Sequence, residues 1–232
     1  MTVTKLEIIA NSIVSNIERG KLREGDQLPS EEKLAEQHGV SVGTVQKALA
    51  RLAQSGIISR QHGRGTFVSG SGVAPADLRY VRFQDLDGRD LTSYVHVRSV
   101  RQTNKKGAWS DFLGGNAFVR VERMVSFGAR FELYSEFWLR EEEFARLNGT
   151  SHRSFERSLR SLLDKQLSLP TLRVDQWIRF APLPANAARV LGLEAGQPGF
   201  VMELRGYTLR DKPLSYQCLI SGPFSERFVV VR

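Results

Sequence analysis

The 232-residue sequence has little cysteine and little histidine, and this limits its chemistry. Cys218 is the only cysteine, so neither an intrachain disulfide nor a multi-cysteine metal site is possible. The chain has four histidines, His38, His62, His96 and His152. They are too far apart in the sequence to have the spacing of metal ligands. We therefore expect neither a metal ion nor another cofactor.

Long apolar runs are also absent. No stretch approaches the ~18 consecutive apolar residues that a membrane-spanning helix needs. The N-terminus lacks a basic region followed by an apolar core, so the sequence predicts no signal peptide. Hydrophobic residues make up 41% and charged residues 25%, which is typical of a soluble globular protein. We expect a cytoplasmic protein without a membrane partner.

Acidic residues are missing from one long segment of the chain. Residues 38–75 contain no Asp or Glu but do contain Lys47, Arg51, Arg60 and Arg64. The net charge of the chain is +8. Such an excess favours a polyanionic partner, either nucleic acid or an anionic membrane face, and its concentration in one segment favours nucleic acid.

The N-terminal third has the pattern of three short helices. A first helix is predicted to begin at Thr4, where Glu7 completes a capping box. Ser30 and Ser41 are good N-cap residues for two further helices, and Gly39 between them suits a C-cap. These signals predict a helix-turn-helix.

A β-hairpin is predicted after the third helix. Residues 57–60 and 66–68 read as short strands, and the turn between them contains Gly63 and Gly65, which tolerate positive φ. A helix-turn-helix followed by such a hairpin is the layout of a winged helix, which inserts a helix into the DNA major groove. The sequence therefore predicts DNA as the partner.

The best domain boundary follows the hairpin directly. Residues 69–72 read Ser-Gly-Ser-Gly, which is a flexible linker composition. We predict a DNA-binding domain at 1–69, a linker at 70–78 and a second domain at 79–232.

The second domain mixes strands with helices. Strands are predicted at 92–101, 118–127, 131–139, 173–180, 200–209 and 214–221, and helices at 140–147, 154–167 and 185–191. Hairpin-linked strands with helices inserted between them indicate an antiparallel sheet with helices on one face. The fold class is therefore α+β, with a winged helix-turn-helix ahead of this sheet.

Several short motifs in the first domain resemble the DNA-binding domain of the GntR family of bacterial transcription regulators. They are Leu28, Pro29, Ser30 and Glu31; Leu34 and Ala35; Gly39, Val40 and Ser41; Thr44 and Val45; Ala48 and Leu49; and Gly63, Gly65, Thr66, Phe67 and Val68. The DNA-contacting residues that we predict from this resemblance and from major-groove geometry are Ser30, Glu32, Ser41, Val42, Gly43, Thr44, Gln46, Lys47, Arg51, His62, Gly63 and Arg64. Family members often carry arginine at the positions of Glu32, Val42 and Gln46, so the usual operator sequence is not implied.

The predicted contacts differ in what they recognise. Gln46 can pair bidentately with adenine, and Val42 can contact a thymine methyl group. Thr44 can bind a phosphate, and His62 with Gly63 resembles the family's minor-groove contact at the wing. Lys47, Arg51 and Arg64 are expected to contact phosphates, which set affinity rather than sequence. The alternative is that these are ordinary solvated residues on a small helical domain.

The second domain resembles the UTRA effector-binding domain of the HutC subfamily, whose fold is similar to chorismate lyase. The residues that carry the resemblance are Arg120, Val121, Glu122 and Arg123; Ser135 and Glu136; Arg205; Asp211, Lys212, Pro213 and Leu214; and Phe224, Arg227 and Phe228. The effector-binding residues that we predict are Ser93, Arg120, Arg123, Tyr134, Ser135, Glu136, Arg205, Tyr207 and Tyr216.

The resemblance also suggests roles within that site. Arg123 and Arg205 would bind an anionic part of the effector, while Glu136 would accept a hydrogen bond. Sugar-phosphate sensors carry a second arginine where this chain has Val125, which favours a carboxylate or amino-acid-like effector. The alternative is that these strand charges face solvent. We expect Trp109, Trp138 and Trp177 to lie in the core.

Together these patterns predict a homodimeric, ligand-responsive transcription regulator. It would be a repressor that leaves a palindromic operator when it binds a small anionic metabolite. One alternative is a nucleic-acid-binding protein without an effector. The other is a small-acid lyase, but the sequence contains no Gly-x-Ser-x-Gly motif or Gly-rich phosphate loop, and we do not expect an enzyme.

Overall fold

The computed structural model describes residues 4–18, 21–23, 25–54, 57–61, 63–68, 80–127, 130–147, 152–156 and 159–230. These residues form two compact units. No helix in the described ranges has the length and hydropathy to span a bilayer. The expected linker, 70–78, lies outside the described residues, so the domain boundaries stay a prediction.

The first unit begins with three helices, α1 (Lys5–Glu18), α2 (Glu31–His38) and α3 (Val42–Gln54). The predicted capping box is present, since the backbone N–H of Thr4 donates to the Glu7 carboxylate at 2.8 Å and that of Glu7 donates to the Thr4 hydroxyl at 3.3 Å. Ser30 caps α2 by accepting a hydrogen bond from the backbone N–H of Lys33 at 3.2 Å. Gly39 ends α2 in the left-handed region with φ 60°. The helix-turn-helix is confirmed.

The wing consists of β1 (Ile58–Gln61) and β2 (Gly65–Val68), which pair antiparallel. Gly65 has φ +112°, and a Cβ there would lie 2.5 Å from the Gln27 amide nitrogen, so the turn requires glycine. Helices and wing share a buried core that includes Ile9, Ile13, Leu34, Val45, Leu49, Leu52, Ile58 and Val68. Tyr94 is buried in the same core, and the unit accordingly also includes Asp90–His96 and Val125–Glu132.

A six-stranded sheet follows, in the order β4-β5-β6-β9-β8-β7. Its strands are β4 (Ser93–Thr103), β5 (Phe118–Phe127), β6 (Phe131–Arg140), β7 (Arg173–Pro182), β8 (Pro198–Tyr207) and β9 (Pro213–Ser221). The pairs β6–β9, β9–β8 and β8–β7 are antiparallel. A separate antiparallel pair joins β3 (Arg82–Gln84) to β10 (Arg227–Val229). The antiparallel sheet is confirmed.

Helices cover both faces of this sheet. The remaining helices are α4 (Ala108–Leu113), α5 (Glu141–Ala145), α6 (Leu159–Leu167) and α7 (Ala185–Leu191), with 3-10 turns at His152–Glu156 and Leu209–Asp211. On β6, Phe137 packs with Leu159 and Leu163 of α6, whereas Tyr134 packs with Ala187 and Ala188 of α7. Side chains an odd number of positions apart on a strand point to opposite faces. The expectation of helices on one face is therefore wrong.

Candidate functional site

Helix α3 presents a mostly polar surface because its larger apolar residues, apart from Val42, turn inward. Val45, Ala48, Leu49 and Leu52 are buried, at 1% exposure or less. Among the predicted DNA contacts, Ser41, Gly43, Gln46 and Lys47 are exposed, and Val42 and Thr44 are half-buried. The Ser41 hydroxyl accepts a hydrogen bond from the backbone N–H of Thr44 at 3.3 Å, which fixes the first turn of the helix. This surface has the composition of a major-groove reader.

Gln46 is held in place by the preceding helix and by the wing. Its Nε2 donates to Glu31 Oε2 at 2.7 Å. Arg60 Nη2, from β1, lies 3.3 Å from Glu31 Oε1 and 3.3 Å from the Gln46 carbonyl oxygen. This Glu31–Gln46–Arg60 network joins α2, α3 and the wing, and the sequence analysis missed it because its members are 14 to 29 residues apart.

Glu32 and Arg51 also interact within the protein. The pKa of the Glu32 carboxyl is lowered by a hydrogen bond from its own backbone N–H and then by one from Ser30, both at the start of α2. Arg51 lies close enough to Glu7 to add to the lowering of that carboxyl's pKa, whose larger causes are the hydrogen bonds from Thr4. Glu32 thus interacts with the first turn of its own helix, and Arg51 of α3 lies near the start of α1.

The wing tip is exposed where the structure describes it. Gly63 has φ 70°, and Arg64 is exposed while its carbonyl oxygen accepts a hydrogen bond from Gln27 Nε2 at 3.1 Å. His62 lies outside the described residues. The predicted phosphate contact of Arg64 is therefore compatible with its exposure.

One face of the sheet carries a row of ionisable side chains, which we call the charged face. The register places Glu136 beside Cys218, Cys218 beside Glu203, and Glu203 beside Trp177 on four neighbouring strands. The ionisable members of the charged face are Arg120, Glu122, Tyr134, Glu136, Arg173, Asp175, Arg179, Glu203, Arg205, Tyr207, Tyr216 and Cys218. Helix α4 packs on it through the cluster of Leu113, Phe118, Trp138 and Tyr216, and α7 packs beside Tyr134, Val201 and Ile220.

Arg120 and Glu136 form one half of the charged face. Glu136 Oε1 accepts hydrogen bonds from Arg120 Nη1 at 3.1 Å, from the Tyr134 hydroxyl at 2.9 Å and from Asn186 Nδ2 at 3.3 Å. Arg120 also forms a salt bridge with Glu122. The pKa of Tyr134 is raised, first by burial and then by the Glu136 charge, so its hydroxyl remains a donor.

Arg205 and Glu203 form the other half. Arg205 Nε and Nη2 both lie 2.8 Å from Glu203 Oε1. The pKa of Tyr216 is raised by burial and by its hydrogen bond to Glu203. Cys218 lies between the two halves, and burial followed by the charges of Glu136 and Glu203 raises its pKa to about 12. Its thiol is therefore protonated and unreactive at neutral pH.

Aromatic side chains border the charged face. Trp109 of α4 stacks on Trp138 with ring centroids 3.8 Å apart. The guanidinium of Arg205 lies 4.7 Å from the Trp177 ring centroid and 5.3 Å from that of Phe112. Trp138 is in the core as expected, but Trp177 is 46% exposed because β7 is an edge strand, so that expectation is wrong. Phe112 was missed because α4 is too short to show a helical period.

The structure separates the predicted effector residues into two groups on opposite faces of the sheet and leaves Ser93 outside both. Arg120, Tyr134, Glu136, Arg205 and Tyr216 lie together on the charged face, and Tyr207 lies at its end, where the Arg173 guanidinium covers its ring at 3.7 Å. Ser93 is buried at 1% exposure, and its hydroxyl has no hydrogen-bond partner among the described residues.

Arg123 and Ser135 lie on the opposite face. The Arg123 side chain is 1% exposed, and its guanidinium lies 5.3 Å from the Phe137 ring centroid. Ser135 accepts a hydrogen bond from Gln217 at 3.1 Å. The structure therefore does not bring Arg123 together with Arg205 and Glu136, because positions 120 and 123 of one strand face opposite ways. Pairing Arg123 with Arg205 in one anion site was wrong.

Glu203 was also missed, although a signal was present. It precedes Arg205 by two positions in a predicted strand, which places both side chains on one face. No group of three or more His, Cys, Asp or Glu side chains able to hold a metal ion occurs in the described ranges.

Comparison with known proteins identifies both domains. Residues 6–68 match the family described as bacterial regulatory proteins, gntR family, and residues 88–220, more than half of the chain, match the UTRA domain. The ligand-binding domain of a GntR-family transcriptional regulator from Bordetella bronchiseptica has a similar fold. Its TM-score is 0.58 and its identity 16%, over 66% of this chain and 98% of that one.

Two relatives from Bacillus subtilis align along most of their length. The HTH-type transcriptional repressor NagR is 24% identical over 86% of this chain and 82% of its own. The HTH-type transcriptional regulator YydK is 28% identical over 97% of this chain and 96% of its own. The winged helix, the antiparallel sheet and these similarities lead to one assignment: the chain belongs to the GntR family of transcription regulators, in the HutC-type group that joins a gntR winged helix to an effector-binding UTRA domain.

Proposed function

We propose that this regulator is a homodimeric repressor in the cytoplasm that binds a two-fold symmetric operator and leaves it when a small effector binds the charged face. DNA binding is supported by the exposed polar surface of α3. On this surface the Gln46 side chain is held by a hydrogen bond from its Nε2 to Glu31 Oε2 at 2.7 Å. A recognition helix reads base edges with such exposed residues near its N-terminus. Catalysis forms no part of the proposal.

The DNA contacts have separate tasks. Gln46 accepts from the adenine amino group and donates to N7, while Val42 contacts a neighbouring thymine methyl group. Ser41, Gly43 and Thr44 allow close approach to a phosphate at the helix start. Positive charge for further phosphates comes from Lys47, Arg51 and Arg64, and the wing tip with His62 and Gly63 enters the minor groove. Ser30 and Glu32 act by capping α2.

Replacing Gln46 by alanine tests the base-reading role. We expect about 1–3 kcal/mol less discrimination at one base pair of each half-site, because one bidentate contact is lost. Operators are first selected from a random duplex pool, and affinities are then measured by fluorescence anisotropy on single-base variants. Gln37→Ala, an exposed glutamine of α2, is the matched control. An equal loss on every sequence would contradict base reading and favour a nonspecific nucleic-acid-binding protein.

The dimer contact is proposed at β7. This strand lies at the edge of the sheet, with Trp177 46%, Ile178 43% and Phe180 79% exposed. An edge strand with exposed apolar side chains favours pairing with another strand. Pairing with the β7 of a second copy would give an isologous contact and match a two-fold operator.

Phe180→Glu should therefore shift the protein from dimer to monomer, because it buries a charge in the proposed contact. The measurement is the molar mass by light scattering, together with operator affinity, which should fall as the dimer is lost. Leu86→Glu, at a position that is 65% exposed outside the large sheet, should leave both unchanged. A dimer that persists in Phe180→Glu would place the contact elsewhere.

A further inference from the structure

We infer that the effector is an uncharged polyhydroxylated molecule, such as a sugar or polyol, bound on the charged face between α4 and α7. This rests on the proposed function, since it assumes that the charged face is the effector site. It replaces the anionic effector expected from the sequence, and it follows from charge, from hydrogen-bonding capacity and from the shape of the face.

Two arginines of the charged face, Arg120 and Arg205, are already paired with carboxylates. Arg120 lies between Glu122 and Glu136, and Arg205 is held by two contacts with Glu203. With Arg173, Asp175 and Arg179 of β7, the face carries four arginines against four carboxylates. An anionic ligand that bound at Arg120 or Arg205 would have to displace a carboxylate, and it would meet the remaining carboxylates at close range. The balanced charge therefore favours a neutral ligand, although the whole chain carries +8.

The open hydrogen-bonding positions require a group that both donates and accepts. The hydrogen bonds of the Glu136 carboxylate within the described residues all use Oε1, so Oε2 is open to a donor from a ligand. In the same part of the chain the indole N–H groups of Trp109 and Trp138 are buried without a partner and need acceptors. Trp138 is 3% exposed and lies two positions from Glu136 on the same strand face. A hydroxyl group donates and accepts at once, which neither a carboxylate nor an ammonium group does.

The shape of the face suits a ring-sized ligand. Glu136 and Glu203 lie on strands either side of β9, so their backbones are roughly 9–10 Å apart at the usual strand spacing. Between them lies the short side chain of Cys218, whose thiol is protonated. The half-buried Trp109, which stacks on the buried Trp138, is the aromatic side chain available to the C–H groups of a sugar ring.

The test is a thermal-shift and calorimetric screen of the full chain against matched ligands. Glucose, sorbitol and maltose are compared with glucose 6-phosphate and sorbitol 6-phosphate, and with glutamate and citrate. We expect an uncharged member to raise the Tm and its phosphorylated counterpart to bind at least tenfold more weakly. Glu136→Gln should weaken binding of the uncharged ligand at least tenfold. An amide has only one acceptor atom, so it cannot replace both Oε1 and Oε2 of the carboxylate. Glu194→Gln, at an exposed site outside the charged face, should not.

The outcomes separate this inference from the proposed function. Preferential binding of a phosphate or carboxylate would overturn the ligand class, while an effector at the charged face would survive. Failure of every uncharged member to bind would also count against the class. Operator affinity of the same preparation is measured independently of any ligand, so a protein that fails to select an operator would instead overturn the proposed function.

Discussion

Replacing Glu31 by alanine should remove the preference at the base pair read by Gln46 almost as fully as removing Gln46 itself. Glu31 accepts one hydrogen from the Gln46 amide at 2.7 Å. This leaves the second Nε2 hydrogen and Oε1 to face the base, which is the donor–acceptor pair that adenine requires. Without Glu31 the amide can turn over, and Arg60 loses its carboxylate partner. We expect about 1–3 kcal/mol less discrimination at that position.

The control has to correct for charge. Removing any carboxylate near DNA strengthens binding to all sequences because repulsion from the phosphates falls. Glu32→Ala is the control, because it removes the same charge one position away. The Glu32 carboxylate interacts with the first turn of α2 and makes no hydrogen bond to Gln46. The measurement is a double-mutant cycle of Glu31→Ala and Gln46→Ala on matched and mismatched operators. Additive effects would contradict positioning of Gln46 by Glu31, since coupled residues are non-additive.

Replacing Phe137 by alanine should lower the free energy of unfolding by about 3–5 kcal/mol. Phe137 is fully buried, and its ring lies 5.3 Å from the guanidinium of Arg123 and 5.4 Å from that of Arg160. The alanine leaves a cavity, and two buried cations lose the ring that faces them. Phe137→Leu should cost much less, because most of the volume is kept. Urea unfolding followed by circular dichroism measures both variants.

The same core gives a contrast between two arginines. Arg123→Met should change the stability but leave effector affinity of the folded protein unaltered, because the side chain lies on the face opposite to the charged face. Arg205→Met should abolish effector binding with a smaller change in stability. Loss of effector binding in folded Arg123→Met would restore the site first expected from the sequence.

Local signals were enough to predict the winged helix. The capping residues Thr4, Ser30 and Ser41 act on backbone N–H groups three positions along the chain, so sequence spacing determines these contacts directly. The main strands of the sheet were likewise found, because their apolar alternation is a property of each segment alone. By contrast, β3 and β10 have three residues each and give no such pattern.

The partners of the ionisable groups could not be predicted in this way. Arg120 of β5 binds Glu136 of the neighbouring strand β6. Which residues pair in this way depends on the register between strands, and that register is set by contacts with distant parts of the chain. The separation of Arg123 from Glu136 is different. The alternation of side chains along each strand was enough to predict this separation. It was missed because the motif resemblance grouped residues that face opposite sides of the sheet. The charge balance that disfavours an anion follows from these pairings and is invisible in the net charge of the chain.

The measurement that tests the central claim most directly is operator affinity with and without a ligand that stabilises the UTRA domain. Affinity is followed by fluorescence anisotropy on the selected operator, in wild type and in Arg205→Met. We predict that saturating ligand weakens operator binding at least tenfold in wild type and has no effect in Arg205→Met, whose affinity without ligand is normal. A ligand that binds the charged face and leaves operator affinity unchanged would contradict the account of this protein as an effector-released repressor.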